Sequence, residues 1–259
     1  MPKFTTVDGI EIAYQTWGAT SPLPAVLLHH GFIANADINW VRPGIVEALT
    51  HAGRQVVALD ARGHGASGKP HDPAFYGEDK MARDLTQLID LVVGAAGQSI
   101  VDLVGYSMGA IVSLITASRD NRIRRLVVGG VGAGVVEQGG LDTRAAAAGL
   151  LVSALQAPDP GTITQSIPRA FRALADAVGA DREAMAAVAA ARQRLTIPVG
   201  RITVPALVIA GESDPLAVRP EVLADAIPSA RLLRLPGDHL SVVRDPSFAS
   251  AIVEFLGSQ

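Results

Sequence analysis

The stretch Ile100 to Gly109, IVDLVGYSMG, places a serine between an apolar run and a helix-like segment. Residues 100–104 resemble a strand buried on both faces, and a helical pattern continues from Met108 to Ser118. A glycine stands two positions before Ser107 and another two positions after it. A sharp strand-to-helix turn strains the serine backbone and projects its Oγ, and flanking glycines remove the steric conflict. The pattern predicts a nucleophile elbow.

The same turn offers a place for developing negative charge. The backbone N–H of Met108 and the positive end of the following helix dipole both lie beside Ser107. The segment therefore predicts a nucleophile together with one donor of an oxyanion hole.

Other parts of the sequence predict the sheet around this turn. A hairpin is predicted over residues 4–7 and 10–17, followed by apolar runs typical of parallel strands at 25–28, 55–59, 123–128 and 206–210. Helical patterns alternate with these runs, and residues 79–93 carry apolar side chains at spacings of four, three and four. This alternation predicts an α/β fold with a mostly parallel sheet flanked by helices. Its ligand site should lie at the carboxyl ends of the strands.

Composition limits the classes of function. The 259 residues suit one folding unit, and a net charge of −3 with 49% hydrophobic residues gives no basic footprint for nucleic acid or an anionic membrane. The absence of cysteine excludes disulfides, thiolate metal sites and a cysteine nucleophile. The N-terminus has no apolar signal-peptide core, so we expect a soluble, cytoplasmic protein. We expect its partner to be a small-molecule substrate, and neither a nucleic acid nor a membrane. The sequence does not indicate an oligomeric state.

Residues 132–200 interrupt the alternation of strands and helices. They contain alanine-rich helical pieces separated by glycine and proline, without a strand-like run. We predict that this segment is a helical lid over the site, and that residues 1–131 and 201–259 form the core.

A serine nucleophile needs a general base and a group that orients the base. His239 follows the strand-like run 230–235 and should lie on the same rim as Ser107, whereas His51 and His71 are predicted to be solvated. Asp214 follows the strand at 206–210, and the chain order Ser107, Asp214, His239 fits this arrangement. Glu212 and Asp238 remain rival candidates for the orienting acid.

The loop after the first parallel strand should complete the oxyanion hole. In the sequence His29-His30-Gly31-Phe32, the N–H of Phe32 is the candidate second donor beside Met108, and Gly31 allows the backbone to approach closely. His30 could act as a second base, but we interpret its side chain as a brace for this loop. The side chains of Phe32, Tyr106 and Leu240 are predicted to contact the substrate.

These motifs, taken in order, resemble those of the α/β-hydrolase superfamily, specifically its lid-bearing single-domain serine hydrolases. The resemblance covers nearly the whole chain and includes 30–32, 60–67, 105–109, 211–215 and 237–239, and we interpret 60–67 as a structural turn with a polar network. It implies an α/β-hydrolase fold and a catalytic triad of Ser107, Asp214 and His239. It also implies that Phe32 and Met108 are the oxyanion donors, and that neither metal nor cofactor is required.

Departures from related patterns narrow the expected chemistry. Haloalkane dehalogenases and epoxide hydrolases of this fold have an aspartate where this chain has Ser107, which argues against both. The favoured activity is hydrolysis of a small carboxylic ester or lactone through an acyl-enzyme. Cofactor-free perhydrolases or haloperoxidases and carbon–carbon bond hydrolases remain alternatives with the same triad, and a triad-bearing small-molecule receptor is the non-enzymatic one.

Overall fold

The computed structural model describes residues 1–96, 99–142, 144, 147–192 and 196–258. Residues 143, 145, 146 and 193–195 of the predicted lid, and residues 97, 98 and 259 of the predicted core, lie outside the described residues.

An eight-stranded sheet forms the centre of the described molecule. Its strands are β1 (Lys3–Thr5), β2 (Glu11–Trp17), β3 (Ala25–His29), β4 (Val56–Leu59), β5 (Val101–Tyr106), β6 (Ile123–Gly129), β7 (Ala206–Gly211) and β8 (Ala230–Leu235). Their spatial order is β1-β2-β4-β3-β5-β6-β7-β8. β2 pairs antiparallel with β1 and β4, whereas all pairs from β4 to β8 are parallel. The predicted mostly parallel sheet is confirmed.

Helices cover both faces of this sheet. They are α1 (Ile45–His51), α2 (Glu78–Ala96), α3 (Met108–Ala117), α4 (Ala133–Gln138), α5 (Ala148–Gln156), α6 (Ser166–Ala177), α7 (Arg182–Ala190), α8 (Pro220–Ala226) and α9 (Pro246–Gly257). Alternate residues of the strands belong to two separate apolar clusters, so Leu27 and Leu103 pack on one face while Leu28 and Val104 pack on the other. Burial on both faces explains why these strands have continuous apolar sequences.

The predicted helix over residues 79–93 corresponds to α2. Its spaced apolar side chains are buried against the sheet, namely Met81, Leu85, Leu88 and Val92. This burial confirms that their spacing marks the core-facing side of the helix.

The segment 132–200 contributes α4 to α7 and no strand among its described residues. His71, predicted to be solvated, is half-exposed but lies 3.0 Å from Asp181 and 2.9 Å from Glu183 at the start of α7. These carboxylates raise the pKa of His71, chiefly through the hydrogen bond to Asp181. His71 therefore links the core to this segment, whose role as a lid stays a prediction.

Candidate active site

Ser107 occupies the turn between β5 and α3 with a strained backbone. Its φ is +54° and its ψ is −116°, a conformation that L-residues rarely adopt. A Cβ at position 109 would collide with the carbonyl oxygen of His29, and one at position 105 would collide with that of Gly109. Glycine at both positions is therefore required for the helix to start so close to the sheet.

The three predicted catalytic side chains meet at the carboxyl edge of the sheet. Ser107 Oγ lies 2.9 Å from His239 Nε2, and His239 Nδ1 lies 2.8 Å from Asp214 Oδ2. An ionised carboxylate only accepts hydrogen bonds, so Nδ1 carries the imidazole proton and Nε2 accepts from the serine hydroxyl. All three residues are buried. The arrangement can transfer a proton from Ser107 to His239 while Asp214 stabilises the resulting imidazolium.

Backbone groups and an aromatic ring hold the acid and the base in place. Asp214 Oδ1 accepts the N–H of Leu216 at 2.8 Å, and the Tyr106 hydroxyl donates to the carbonyl oxygen of His239 at 2.7 Å. The Tyr106 ring also packs 5.3 Å from the imidazole, measured between centroids. Burial, reinforced by the nearby charge of Asp214, raises the pKa of Tyr106 well above its ordinary value, so its hydroxyl stays a donor.

Neither rival acid contacts the imidazole. The Glu212 side chain is exposed, and within the described part of the chain it has no hydrogen bond to His239. Asp238 Oδ1 instead accepts the hydroxyl of Ser241 at 2.7 Å and the N–H of Leu240 at 3.0 Å. The bonds from Ser241 are the main cause that lowers the pKa of Asp238. Asp238 thus shapes the loop that carries His239.

The loop after β3 faces Ser107. A Cβ on Gly31 would lie 3.3 Å from the Cβ of Ser107, so the glycine permits a close approach. The Gly31 N–H donates to Asn39 Oδ1 at 2.9 Å, which fixes the loop. Among the described residues, no acceptor takes a hydrogen bond from the backbone N–H of Phe32 or of Met108. Both predicted oxyanion donors are therefore available to a ligand.

His30 braces this loop from below. Its Nε2 accepts the N–H of Ala61 at 2.9 Å, and its Nδ1 donates to the carbonyl oxygen of Gly31 at 2.8 Å. A neutral imidazole fills both roles, and burial lowers the pKa of His30 accordingly. This geometry confirms the bracing interpretation over that of a second base.

The turn at residues 60–67 is also structural. The Asp60 carboxylate accepts the N–H of Ala36 at 2.9 Å and that of Ala66 at 2.8 Å. The Ser67 hydroxyl donates to the Asp60 carbonyl oxygen at 2.5 Å and accepts the N–H of Ala13 at 2.8 Å. This polar network joins the turn to the oxyanion loop and to β2, as the sequence predicts.

Three cavities lie near the candidate triad, and one of them is lined by Pro215, Leu216, His239 and Leu240. The apolar cavity is lined by Met81, Met108, Leu151 and Val188, together with Glu78 and Arg192 at its polar side. Burial lowers the pKa of Arg192, and the Glu78 charge opposes this shift.

The second cavity, here called the serine cavity, contains the reacting side chains. It is lined by Ser107, His239, Tyr106, Asn39 and Leu240. Phe32 and Phe171 line both cavities. The three predicted substrate contacts, Phe32, Tyr106 and Leu240, thus adjoin the serine cavity. Sequence reasoning did not identify Asn39, whose position in the chain carries no recognisable motif.

The described residues also show what kinds of metal group and helix they contain. No group of three or more histidine, aspartate or glutamate side chains is arranged to bind a metal ion. No helix in the described ranges is long and apolar enough to cross a bilayer.

Comparison with known proteins identifies the family. The family model for the α/β hydrolase fold matches residues 24–246. A crystal structure of a hydrolase from Pseudomonas aeruginosa PA01 shares 29% identity and a TM-score of 0.78, covering 99% of this chain and 98% of that one. An enol-lactonase from Burkholderia xenovorans LB400 has the same fold, with 23% identity, a TM-score of 0.81, and coverage of 99% and 100%.

Curated relatives match over shorter regions. A non-heme chloroperoxidase of Streptomyces lividans is 42% identical over 94 residues, which are 35% of this chain and 32% of the relative. An sn-1-specific diacylglycerol lipase of Danio rerio is 34% identical over 126 residues, which are 48% of this chain and 36% of the relative. The chain thus spans about a third of the length of these relatives. With the family model matching most of its length, the chain belongs to the α/β hydrolase fold family, which includes esterases, lactonases and non-heme haloperoxidases.

Proposed function

We propose that this protein is a serine hydrolase that cleaves a small carboxylic ester or lactone through an acyl-enzyme on Ser107. The observation that carries the proposal is the continuous hydrogen-bond chain from Ser107 Oγ through His239 to Asp214, with distances of 2.9 and 2.8 Å. A serine hydroxyl is a weak nucleophile at neutral pH, and such a chain is a known means of activating it.

In the proposed first step, Ser107 Oγ attacks the ester carbonyl carbon while His239 Nε2 takes the hydroxyl proton. The carbonyl oxygen becomes an oxyanion that accepts hydrogen bonds from the Phe32 and Met108 amides. Collapse of this tetrahedral intermediate breaks the bond to the alcohol oxygen, which takes the proton from His239.

The acyl-enzyme is then hydrolysed with His239 acting first as a base and then as an acid. His239 removes a proton from a water molecule as its oxygen attacks the acyl carbon. The second intermediate collapses, Ser107 Oγ recovers the proton, and a carboxylic acid is released.

The proton transfer also favours one orientation of the substrate. Because the leaving oxygen must receive a proton from His239 Nε2, the alcohol part should occupy the serine cavity, which His239 lines. The acyl part can then enter the apolar cavity beside Met108 or a third, apolar cavity lined by Pro215, Leu216 and Leu240. Both cavities are lined mostly by apolar side chains, which favours a modest apolar acyl group.

Labelling with a fluorophosphonate and turnover of aryl esters test this proposal together. Wild-type protein should be labelled at Ser107 and should hydrolyse p-nitrophenyl esters or lactones over many turnovers, and Ser107→Ala should lose both properties. Turnover that survives in Ser107→Ala would refute the proposal. Labelling followed by a single slow turnover would instead support a receptor that has kept the triad.

Perhydrolysis is a second candidate, favoured by the 42% identity to a non-heme chloroperoxidase over 94 residues. Hydrogen peroxide would replace water in the second step, with its oxygen attacking the acyl-enzyme and a peracid leaving as Ser107 is regenerated. Measuring peracetic acid from acetate and hydrogen peroxide, with Ser107→Ala as the control, tests this reaction. Ester hydrolysis without any serine-dependent peracid would exclude it.

A further inference from the structure

Asn39 lies in an unusual helical turn next to the oxyanion loop. It belongs to a short π-helix, Asp37–Val41, between β3 and α1, and only 5% of its surface is exposed. The orientation of its amide follows from one bond. Because the Gly31 N–H is a donor, Asn39 Oδ1 must face it, at 2.9 Å, and Nδ2 must take the other position.

The donor side of this amide has no partner in the protein. Asn39 Nδ2 is buried, and no described residue offers it a hydrogen-bond acceptor. Buried donors are nearly always satisfied in folded proteins, so an orphaned one suggests a ligand that supplies the acceptor. Single π-helical turns also occur frequently at functional sites.

The location of Asn39 indicates which ligand could supply an acceptor to its Nδ2. Asn39 lines the serine cavity together with Ser107 and His239. A Cβ placed on Gly31 would lie 3.6 Å from Asn39 Oδ1 and 3.3 Å from Ser107 Cβ, so the amide is close to the reacting serine. Under the proposed function, this cavity receives the alcohol part of the ester.

We infer that Asn39 Nδ2 donates a hydrogen bond to an oxygen atom carried by the alcohol part of the substrate. The inference rests on the proposed ester hydrolysis and adds a substrate class to it. The preferred substrates are esters whose alcohol bears an ether, hydroxyl or carbonyl oxygen. Asn39 thereby has two roles, since its Oδ1 positions the oxyanion loop and its Nδ2 selects the leaving group.

Matched pairs of butyrate esters test the role of Nδ2. In n-butyl against 2-methoxyethyl butyrate, and in n-pentyl against 3-methoxypropyl butyrate, one CH₂ is replaced by oxygen at constant shape. Within each pair, kcat/KM for the oxygen-bearing ester is divided by kcat/KM for the alkyl ester. This ratio is then divided by the same ratio of rate constants for hydroxide-catalysed hydrolysis, which corrects for the difference in intrinsic reactivity and gives the normalised ratio. Wild-type protein should favour the oxygen-bearing ester of at least one pair by about 3- to 10-fold, the size of one net hydrogen bond.

Two variants separate this role from support of the loop. Asn39→Asp keeps an acceptor for the Gly31 N–H but removes the donor, and Asn39→Leu removes both. The normalised ratio should fall to about one in each, whatever happens to kcat. Asn35→Asp is the matched control, because Asn35 lies in the same loop but does not line the serine cavity, and aspartate keeps an acceptor for the Ile38 N–H. It should keep the wild-type ratio.

The outcomes distinguish this inference from the function on which it rests. A wild-type ratio near one in both pairs, or an unchanged preference in folded Asn39 variants, overturns the role of Nδ2 while leaving ester hydrolysis intact. If the wild-type protein shows neither ester turnover nor fluorophosphonate labelling, the proposed function itself is overturned. Circular dichroism and thermal melting identify the variants that remain folded.

Discussion

Phe171 of α6 packs against Phe32 of the oxyanion loop, with ring centroids 5.8 Å apart and planes inclined by 53°. Both rings are at least nine-tenths buried, and both line the apolar cavity and the serine cavity. The pair therefore lies where the apolar cavity meets the serine cavity, and Phe171 also lines the third cavity beside Leu216. It also joins the helical segment directly to the backbone that should bind the oxyanion.

Phe171→Ala should connect the apolar cavity with the serine cavity and change the selectivity for acyl chains. Removing the ring joins the two cavities, so longer or branched acyl groups should gain several-fold in kcat/KM relative to acetate. The same change leaves a cavity and should lower the free energy of unfolding by about 3 kcal/mol. A series of p-nitrophenyl esters of increasing chain length measures the first effect, and urea denaturation measures the second.

Leu150→Ala provides the control for this change, because Leu150 lies on α5 of the same segment with 43% of its surface exposed. It should leave both the chain-length profile and the stability nearly unchanged. An unaltered profile in Phe171→Ala would show that the ring does not limit the acyl group.

Asp214→Asn should reduce kcat on the order of 10⁴-fold, as neutralising the equivalent acid does in serine proteases. The carboxylate accepts the Nδ1–H of His239, whereas an amide nitrogen in that place would favour the wrong tautomer. Steady-state kinetics with an aryl ester measure the loss. Glu212→Gln, an exposed neighbour, should remain within a few-fold of wild type, and the reverse pattern would transfer the role to Glu212.

Gly109→Ala should prevent the close packing of α3 on β3. The new Cβ would meet the carbonyl oxygens of His29 and His30, and both are backbone atoms that cannot rotate away. We expect a loss of several kcal/mol in stability, or failure to fold, because the overlap forces the helix off the sheet. Gly94→Ala is the matched control, since its Cβ would meet no atom within 4 Å in α2.

Thermal melting of the two glycine variants distinguishes a steric clash at position 109 from the general effect of replacing a helical glycine by alanine. Replacing a helical glycine by alanine normally stabilises a protein by about 0.5–1 kcal/mol, so Gly94→Ala should raise the Tm slightly. If Gly109→Ala melts at the wild-type temperature, the steric account of the elbow is wrong.

Much of the fold could be predicted because local chemistry determines it. Strands buried on both faces need continuous apolar runs, and a serine held at a positive φ beside a helix needs small neighbours. Asp214 and His239 could be placed on one rim with Ser107 because parallel strands end at the same edge of a sheet. Boundaries were less accurate at β1, predicted as 4–7 but observed as Lys3–Thr5. There the Thr6 hydroxyl bonds to Asp8 and to the Ile10 N–H, which starts the turn earlier.

Other features depend on contacts that no local pattern encodes. Phe171 and Phe32 meet across a long stretch of chain, and their contact depends on how the helical segment packs on the core. The role of Asn39 arises from a π-helical turn and from an amide whose acceptor side is used while its donor side is free. An asparagine in a loop sequence gives no indication of either.

A row of buried imidazoles should make the protein sensitive to mild acid. His30 lies between His29 and His64, at centroid distances of 5.8 and 5.1 Å. Burial lowers the pKa of all three, that of His29 to about 3, and the neighbouring imidazoles add to the effect for His29 and His64. All three are therefore neutral in the native state at pH values where unfolded histidine, with a pKa of about 6.5, takes up a proton.

The sign of the effect follows from proton uptake on unfolding. Below pH 6.5 the unfolded chain binds protons that the native state does not, so stability falls as the pH decreases. Each buried histidine contributes a slope approaching about 1.4 kcal/mol per pH unit. His71, whose pKa is raised, acts in the opposite direction only above about pH 6.5, because below that value it is protonated in both the native and the unfolded state. Slopes should therefore be compared between variants in the range from pH 6.5 to 5.0.

Urea unfolding at pH 7.5, 6.5, 5.5 and 5.0 measures this dependence. His29→Gln should lower the slope of the unfolding free energy against pH between pH 6.5 and 5.0 by about 1.4 kcal/mol per pH unit, which corresponds to nearly one proton. This should hold even if the variant is less stable than wild type at pH 7.5. His51→Gln, at an exposed position in α1, should keep the wild-type slope. A wild-type stability that stays constant from pH 6.5 to 5.0 would show that the buried imidazoles are protonated in the native state, and the account of their burial would be wrong.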